Sequence, residues 1–331
     1  MFRGKVDAVL RLATVDKIIL CAGIKLFGFT ANNSPIIICL HLIIFEELGK
    51  MIMNNPFSEL SAFIPAFVMQ VYVVAMFLLV IAGTVLDMIH KKSAQYFFEN
   101  AQKAQKSAKR TVSGAEKTSL LLKTIANEVL TSAELANPRR RISHLFTMYG
   151  FITFIVTTAI LVFAYPTPAD QAPTILPLLW HLGALMLCVG GYWFWLFIRV
   201  DVSSEGYPWY RLVRADLFIV CLLATATFAL IWSAFQAMGA SGLSIFFFAL
   251  FILSGTVLFG TVLWSKFAHM FFKPAAAYQK RLTKADGSRE NLPELADRTN
   301  PADRDRHSME LLKDAPLDMG LGIEREAPRH Y

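Results

Sequence analysis

The sequence predicts an all-α membrane protein, a polytopic bundle of five to six transmembrane helices with a helical cytoplasmic loop. Hydrophobic residues make up 55% of the chain, a larger share than is usual for a soluble domain of this length. Several uncharged apolar stretches reach the roughly 20 residues that a helix needs to cross a bilayer. These stretches are continuous rather than alternating, which favours helices over the strands of an outer-membrane barrel.

Residues 1–61 are predicted to contain an amphipathic segment and a first span. Basic and apolar side chains mix over residues 1–17, a pattern typical of a helix lying in the membrane interface. The apolar run 18–48 is interrupted at Asn32 to Pro35, so it is either one broken span or a surface helix followed by a short span. We expect one crossing, because it places the basic N-terminus on the same side as the other basic segments.

Five later apolar stretches predict clearer spans. Their bounds are Ala62 to Leu86, Ile142 to Tyr165, Thr174 to Ile198, Ala215 to Gln236 and Leu243 to Phe267. The predicted organisation after residue 61 is a span within 62–90, a basic cytoplasmic helical loop over 91–141, a four-span bundle over 142–273, and a cytoplasmic, largely disordered tail over 274–331. The loop is rich in helix-forming residues and is expected to break at Ser113 and Gly114.

The distribution of positive charge predicts the orientation of the bundle. Segment 91–141 carries eleven Lys or Arg and four Glu, a net charge of +7. The loops 166–173 and 237–242 on the opposite side contain no Lys or Arg. The positive-inside rule therefore places the basic segments and the C-terminus in the cytoplasm. Membrane orientation explains this charge better than nucleic acid does, so no nucleic-acid partner is expected. The positive loop is either a solvated face beside anionic lipid or a docking surface for an acidic soluble partner.

Histidines near the ends of the apolar stretches are the candidate site residues. Ionisable side chains inside a membrane are costly and usually functional. His144 and His269 fall near the cytoplasmic ends of their predicted spans, whereas His181 and His41 fall towards the outer side. Two imidazoles from different helices are what a b haem needs as axial ligands. We therefore predict His144 with His269, and His41 with His181, as haem iron ligands. The alternative is that each histidine is a hydrogen-bonded or headgroup residue.

Two stretches resemble a known family. They are the run from Arg139 to Phe151, which contains His144, and the run from Trp264 to Pro274, in which His269 is followed by an aromatic pair and a proline. Both look like the membrane cytochrome b module related to the nitrate reductase gamma subunit. Within it, the resemblance is to the membrane subunit of the quinone-interacting membrane-bound oxidoreductase and to the membrane anchor of adenylylsulfate reductase. It covers roughly residues 60–282.

The resemblance implies a function. It implies one or two b haems, quinone as substrate, and cytoplasmic iron–sulfur or flavin redox subunits as partners. The expected protein is an electron-transfer subunit of a respiratory complex in the bacterial inner membrane, in dissimilatory sulfur metabolism, rather than a complete enzyme. The nitrate reductase branch has further histidines where this chain has Phe154 and residues around Phe251, so the number of haems stays open.

Two other functions stay open from the sequence. One is a non-redox membrane anchor for a soluble reductase such as adenylylsulfate reductase, which the basic loop and the missing haem ligands favour. The other is a transporter, which is expected to have repeated halves and broken helices around a midplane site. No convincing internal repeat is present, and the span centres lack acidic residues.

Overall fold

The computed structural model describes residues 49, 51–135, 137–264 and 269–289, and all regular structure within these ranges is helical. This confirms the all-α prediction. The described helices are α1 Pro56–Leu60, α2 Ala66–Lys91, α3 Ser93–Lys106, α4 Gly114–Thr124, α5 Pro138–Ala164, α6 Ile175–Trp193, α7 Val200–Ser203, α8 Leu217–Ala237, α9 Ser241–Gly260 and α10 His269–Ala285. The possible crossing within 18–48, and His41 with it, lie outside the described residues.

Five helical segments are long and apolar enough to cross a membrane, as expected of a multi-pass membrane protein. Their bounds are Ala66–His90, Pro138–Ala164, Ile175–Ser203, Arg214–Ala237 and Ser241–Gly260. They pack as a ring in the order α2, α5, α6, α8, α9, and α9 returns to α2. Each predicted clear span has its counterpart in this ring.

Local sequence explains where several of these helices begin. Asn137 precedes Pro138 and its side chain accepts hydrogen bonds from the backbone N–H groups of Arg139 and Arg140. Proline suits the first helical position because its missing N–H is not needed there. Ser113 caps α4 through the N–H of Glu116, so the predicted break at Ser113 and Gly114 is confirmed.

The last span is shorter than predicted. The expected span to Phe267 ends instead at Gly260, and a 3-10 turn follows over Val262–Trp264. Val262 is almost fully buried, and it lies against Gly83 of α2, where an added Cβ would be 2.8 Å from the Val262 Cβ. The apolar pattern continues past Gly260 because the turn also packs on the bundle, so hydropathy alone extends the span too far.

Helix α10 packs against α3, α4 and the π-helical turn Ile125–Leu130, and together they form one layer. These four elements are called the platform below. The expected disordered tail from residue 274 therefore begins with an ordered helix that reaches Ala285; residues 290–331 lie outside the described ranges. The platform, the loop before α8 and the start of α5 share one end of the ring, called the basic end. The opposite end, with the turns between α5 and α6 and between α8 and α9, is called the short-loop end.

Candidate functional site

His144 lies in the second turn of α5 at the basic end. Its Nδ1 is 3.0 Å from the hydroxyl oxygen of Ser132, a buried residue with a left-handed backbone (φ 46°). Two neighbouring side chains of α5 hold the same segment: Arg141 donates from Nε to the Thr131 carbonyl at 2.7 Å, and Tyr149 donates its hydroxyl to the Leu130 carbonyl at 2.7 Å. His144 is thus part of the joint between the platform and the bundle.

His269 is the first residue of α10 and lies at the same end of the bundle as His144. Lys273, one turn further along α10, forms an ion pair with Glu134, which lies just before α5 in the chain. The first turn of α10 is therefore held beside the segment that leads into α5. The structure thus brings the helix positions of the first predicted pair, His144 and His269, to one end of the molecule.

His181 lies deep in the ring, with 4% of its surface exposed. Its Nδ1 is 2.7 Å from the Pro177 carbonyl oxygen, and its Nε2 is 2.8 Å from the hydroxyl oxygen of Ser233 on α8. Since a carbonyl only accepts, Nδ1 carries the proton and Nε2 accepts from Ser233. Both ring nitrogens are satisfied by protein groups.

Aromatic rings fill the space around His181. Trp180 and Trp232 are both completely buried. The Phe57 ring from α1 reaches between them, with centroid distances of 5.6 Å to Trp180 and 5.3 Å to Trp232. A cavity of about 10 Å³ beside Phe57 and another beside Ser233 are each about the size of one water.

Haem fits the two predicted positions unequally. At His181 it does not fit this packing, because Nε2 is engaged by Ser233 and the neighbouring space holds indole rings. The predicted ligation by His181 requires those groups to move and stays a prediction. At His144 the held Nδ1 suits a ligand, because a ligating imidazole commonly bonds a second protein group through its other nitrogen.

Glycines in α5 and α6 serve close packing of the two helices. A Cβ added to Gly150 would lie 2.7 Å from the backbone nitrogen of Leu187, and one added to Gly183 would lie 2.7 Å from that of Phe154. Ser143 also donates its hydroxyl to the Gly190 carbonyl across the same contact at 2.8 Å. Small residues of this kind let membrane helices approach backbone to backbone. They leave no gap for a macrocycle between these two helices.

The platform neutralises most of its own acidic side chains. Glu116 pairs with both terminal nitrogens of Arg110, at 2.5 and 3.0 Å. This hydrogen bonding lowers the pKa of Glu116 below its ordinary value. Glu128 pairs with Arg281 of α10 at 2.6 Å, and Glu134 with Lys273. The remaining positive charge of the platform and its adjoining loops is carried by exposed lysines: Lys92, Lys103, Lys106, Lys109, Lys117, Lys123, Lys280 and Lys284.

Helix α4 presents apolar side chains away from the rest of the platform. Its inner side packs against α10, and Thr124 is buried there. Leu121, Leu122 and Ile125 are exposed, Leu122 at 61%, and exposed lysines 117 and 123 flank them. We call Leu121, Leu122 and Ile125, with these two lysines, the α4 patch.

No family model, curated protein or solved structure matches this chain. Within residues 49, 51–135, 137–264 and 269–289, moreover, no three His, Cys, Asp or Glu side chains converge as a metal site would require. The function is therefore argued from the geometry above together with the resemblance of the two histidine-containing stretches.

Sequence reasoning missed two buried charged residues at the basic end. Asp87 of α2 is 2% exposed and lies one turn beyond Gly83, on the face of α2 that meets the turn after α9. Arg199 is 4% exposed and pairs with Asp216 at 2.7 Å. Their positions in the sequence could have identified them. Asp87 is the lone acid of the span predicted within 62–90, and Arg199 directly follows the aromatic end of another predicted span.

Proposed function

We propose that this protein is the membrane subunit of a respiratory redox complex and that it holds a cytoplasmic iron–sulfur or flavin partner at the bacterial inner membrane. The positive-inside rule supports a cytoplasmic position for the basic end and the C-terminus. The resemblance supplies the partner class, with adenylylsulfate reductase of dissimilatory sulfur metabolism as the specific candidate. Docking is the part of this proposal that the geometry supports best.

The observation that carries the docking proposal is the α4 patch. Large apolar side chains that face water cost free energy, at about 25 cal/mol per Å², and contiguous exposed patches usually mark interaction sites. An apolar centre with a charged rim is the usual composition of a protein interface. The lysines at 117 and 123 favour a partner with an acidic rim, because complementary charge steers association.

The platform holds this patch in place before a partner arrives. The backbone N–H groups of Lys109 and Arg110 both donate to the Asp286 carbonyl, at 2.9 and 3.1 Å, and Arg110 Nε donates to the Ala285 carbonyl at 2.6 Å. The ion pair between Glu128 and Arg281 adds a further link to α10. A surface that is already ordered loses less entropy on binding than a flexible segment does.

Binding of purified adenylylsulfate reductase to the full-length protein in nanodiscs tests the docking proposal. The triple variant Leu121→Ala, Leu122→Ala, Ile125→Ala removes the apolar centre of the patch. We expect its affinity to fall roughly tenfold or more, since truncated central side chains dominate interface energies. Raising the ionic strength should weaken the native complex further.

The matched control is Met238→Ala, Leu243→Ala, Ile245→Ala, which removes three exposed apolar side chains near the short-loop end. This variant should bind as the native protein does. Thermal unfolding checks that the native protein and the α4-patch variant are both folded. If the two then bind the reductase with equal affinity, the patch does not dock this partner. If the triple variant loses contact with lipid but still binds the reductase, the α4 patch binds the membrane surface and not the partner.

A second candidate function adds electron transfer to docking. Here His144 and His269 would hold a haem b at the basic end, and the haem would supply one-electron transfer between quinone and the docked partner. The specific observation is the shared end of the bundle together with the hydrogen bond that fixes the His144 ring. Ser132 would then orient the ring and set which nitrogen faces the metal.

The test is a dithionite-reduced minus oxidised visible spectrum of the detergent-purified protein, expressed with ample haem, with a pyridine haemochrome assay. A b-type signal that is lost in His144→Ala and in His269→Ala, but kept in His90→Ala, is the expected result. His90 is exposed at the end of α2 and serves as the control. A flat spectrum of the native protein would leave docking as the function and reject the electron-transfer part.

A further inference from the structure

The loop between the third and fourth described spans is exposed along its whole length. Residues 204–214 are all exposed, and this segment is called the interfacial loop. It contains five large apolar or aromatic side chains with exposed fractions from 41% to 67%: Tyr207, Trp209, Tyr210, Leu212 and Val213. Such a composition is unusual for a loop that faces only water.

The base of the interfacial loop is fixed by buried Arg199. Its Nη1 donates to Asp216 Oδ2 at 2.7 Å, and its Nη2 donates to the Arg211 carbonyl at 2.7 Å. The guanidinium also lies 4.0 Å from the ring centroid of Trp195, a favourable cation–π distance. The backbone N–H of Val213 donates to the same Asp216 oxygen at 3.1 Å. The outward aromatic side chains therefore stand on an ordered support.

Two arginines accompany these aromatic side chains. The Arg211 guanidinium lies 3.6 Å from the ring centroid of Tyr207, and Glu205 is 4.0 Å from its Nη1. Arg214, at the end of the loop, is exposed. The loop thus combines rings that prefer the membrane interface with cations that favour anionic headgroups.

The position of the interfacial loop in the chain indicates that membrane lipid is what contacts it. The loop joins the ends of two candidate spans, Ile175–Ser203 and Arg214–Ala237. Phe197, seven residues before it, is 69% exposed at the end of the first of these spans. A loop that joins the ends of two spans is expected at the depth where hydrocarbon gives way to headgroups.

We propose that the interfacial loop is a binding surface for anionic phospholipid headgroups of the leaflet at the basic end. Trp209 and Tyr210 lie among the upper acyl chains and glycerol groups. Arg211 and Arg214 contact the phosphates. This surface is separate from the α4 patch and does not depend on docking or haem.

Trp209 reports contact with lipid. The full-length protein is reconstituted in nanodiscs with brominated phosphatidylcholine or brominated phosphatidylglycerol, and its fluorescence is compared with that of Trp209→Phe. The difference isolates Trp209 from the other tryptophans. We expect stronger quenching of Trp209 by the brominated anionic lipid.

Charge preference is measured in the same preparation by native mass spectrometry of retained lipids. Arg211→Gln with Arg214→Gln should lower the preference for phosphatidylglycerol over phosphatidylcholine by roughly an order of magnitude, since each arginine at an anionic surface contributes favourably. Lys103→Gln with Lys106→Gln, an equal loss of exposed charge on α3, is the matched control and should leave the preference unchanged.

Two results overturn the proposal. Absence of quenching by either lipid would place the loop away from the membrane and make it a protein-binding surface. Equal quenching by both lipids, with no effect of the arginine variant, would reduce it to an aromatic belt without a headgroup site. Because the Arg199 contacts are untouched in these variants, thermal unfolding should match the native protein.

Discussion

The buried arginine at the end of the third span shows how one residue can organise a loop. Arg199 and Asp216 have only 5% and 13% of their side-chain surfaces exposed. Replacing Arg199 by Leu leaves the Asp216 charge buried without its partner. We expect a loss of roughly 3–5 kcal/mol of stability, the usual cost of breaking a buried pair from one side. Denaturant unfolding of the detergent-purified protein measures it.

The double variant Arg199→Leu, Asp216→Leu separates charge from packing. Because buried ion pairs often contribute little relative to apolar replacements of similar volume, we expect it to recover much of the lost stability. A double variant as unstable as Arg199→Leu alone would mean that the contact with the Arg211 carbonyl, rather than the ion pair, holds the loop.

A second residue-scale prediction concerns acid sensitivity of the platform. The hydrogen bonds from Arg110 lower the pKa of Glu116 below its ordinary value of 4.5. A carboxyl with a depressed folded pKa stabilises the fold above its unfolded pKa and loses that contribution as the pH falls through the folded value. The protection of amide hydrogens over residues 107–124, taken relative to their intrinsic exchange rates at each pH, should therefore decrease at pH values below about 4.5.

Glu116→Gln is the control for this acid effect. It removes the titrating group, so amide protection over the same segment should be lower at neutral pH and should change less with pH below 4.5. An unchanged acid profile in this variant would show that Glu116 does not cause the effect.

At the scale of helices, long uncharged runs predicted the spans well because lipid imposes the same requirement on each of them. The prediction failed where protein contacts replaced lipid contacts. The stretch after Gly260 is apolar because Val262 packs against Gly83. Its hydropathy therefore resembles that of a membrane span, although the span ends at Gly260. The helix His269–Ala285 was predicted to be part of a tail because its contacts, including the ion pairs of Lys273 and Arg281, are with residues distant in the chain, and a local pattern does not reveal them.

The contact between α5 and α6 gives a prediction at this scale. In Gly183→Ala the new methyl group would lie 2.7 Å from the Phe154 backbone nitrogen and 3.0 Å from the Gly150 carbonyl oxygen. Since backbone cannot move aside as a side chain can, we expect a loss of roughly 1–3 kcal/mol, as for other overpacked sites. Thermal unfolding in detergent provides the measurement.

Gly242→Ala is the matched helix-scale control. No atom lies within 4 Å of a Cβ added at this position in the first turn of α9. The substitution should be neutral or slightly stabilising, because alanine restricts the unfolded chain more than glycine does. If Gly183→Ala were equally well tolerated, the two helices would not depend on close backbone contact.

For the whole molecule, the sequence did not reveal what surrounds the candidate histidines. His181 was expected to face a cofactor, yet its ring is held by Ser233, a residue 52 positions later in the chain. Contacts of this kind arise from how the ring of helices closes, which hydropathy does not encode. Charge asymmetry, by contrast, is a property of the whole chain and could be predicted from the sequence alone.

That asymmetry yields a prediction about topology, tested by cysteine accessibility in the full-length protein after replacement of its four native cysteines. Ser107→Cys lies directly after α3 of the platform and Gln171→Cys lies in the turn between α5 and α6; both native residues are exposed. Because basic loops are retained in the cytoplasm, an impermeant maleimide should label position 171 in intact spheroplasts and position 107 only after lysis. The reverse pattern would place the platform and the α4 patch outside the cell, where a cytoplasmic reductase cannot reach them.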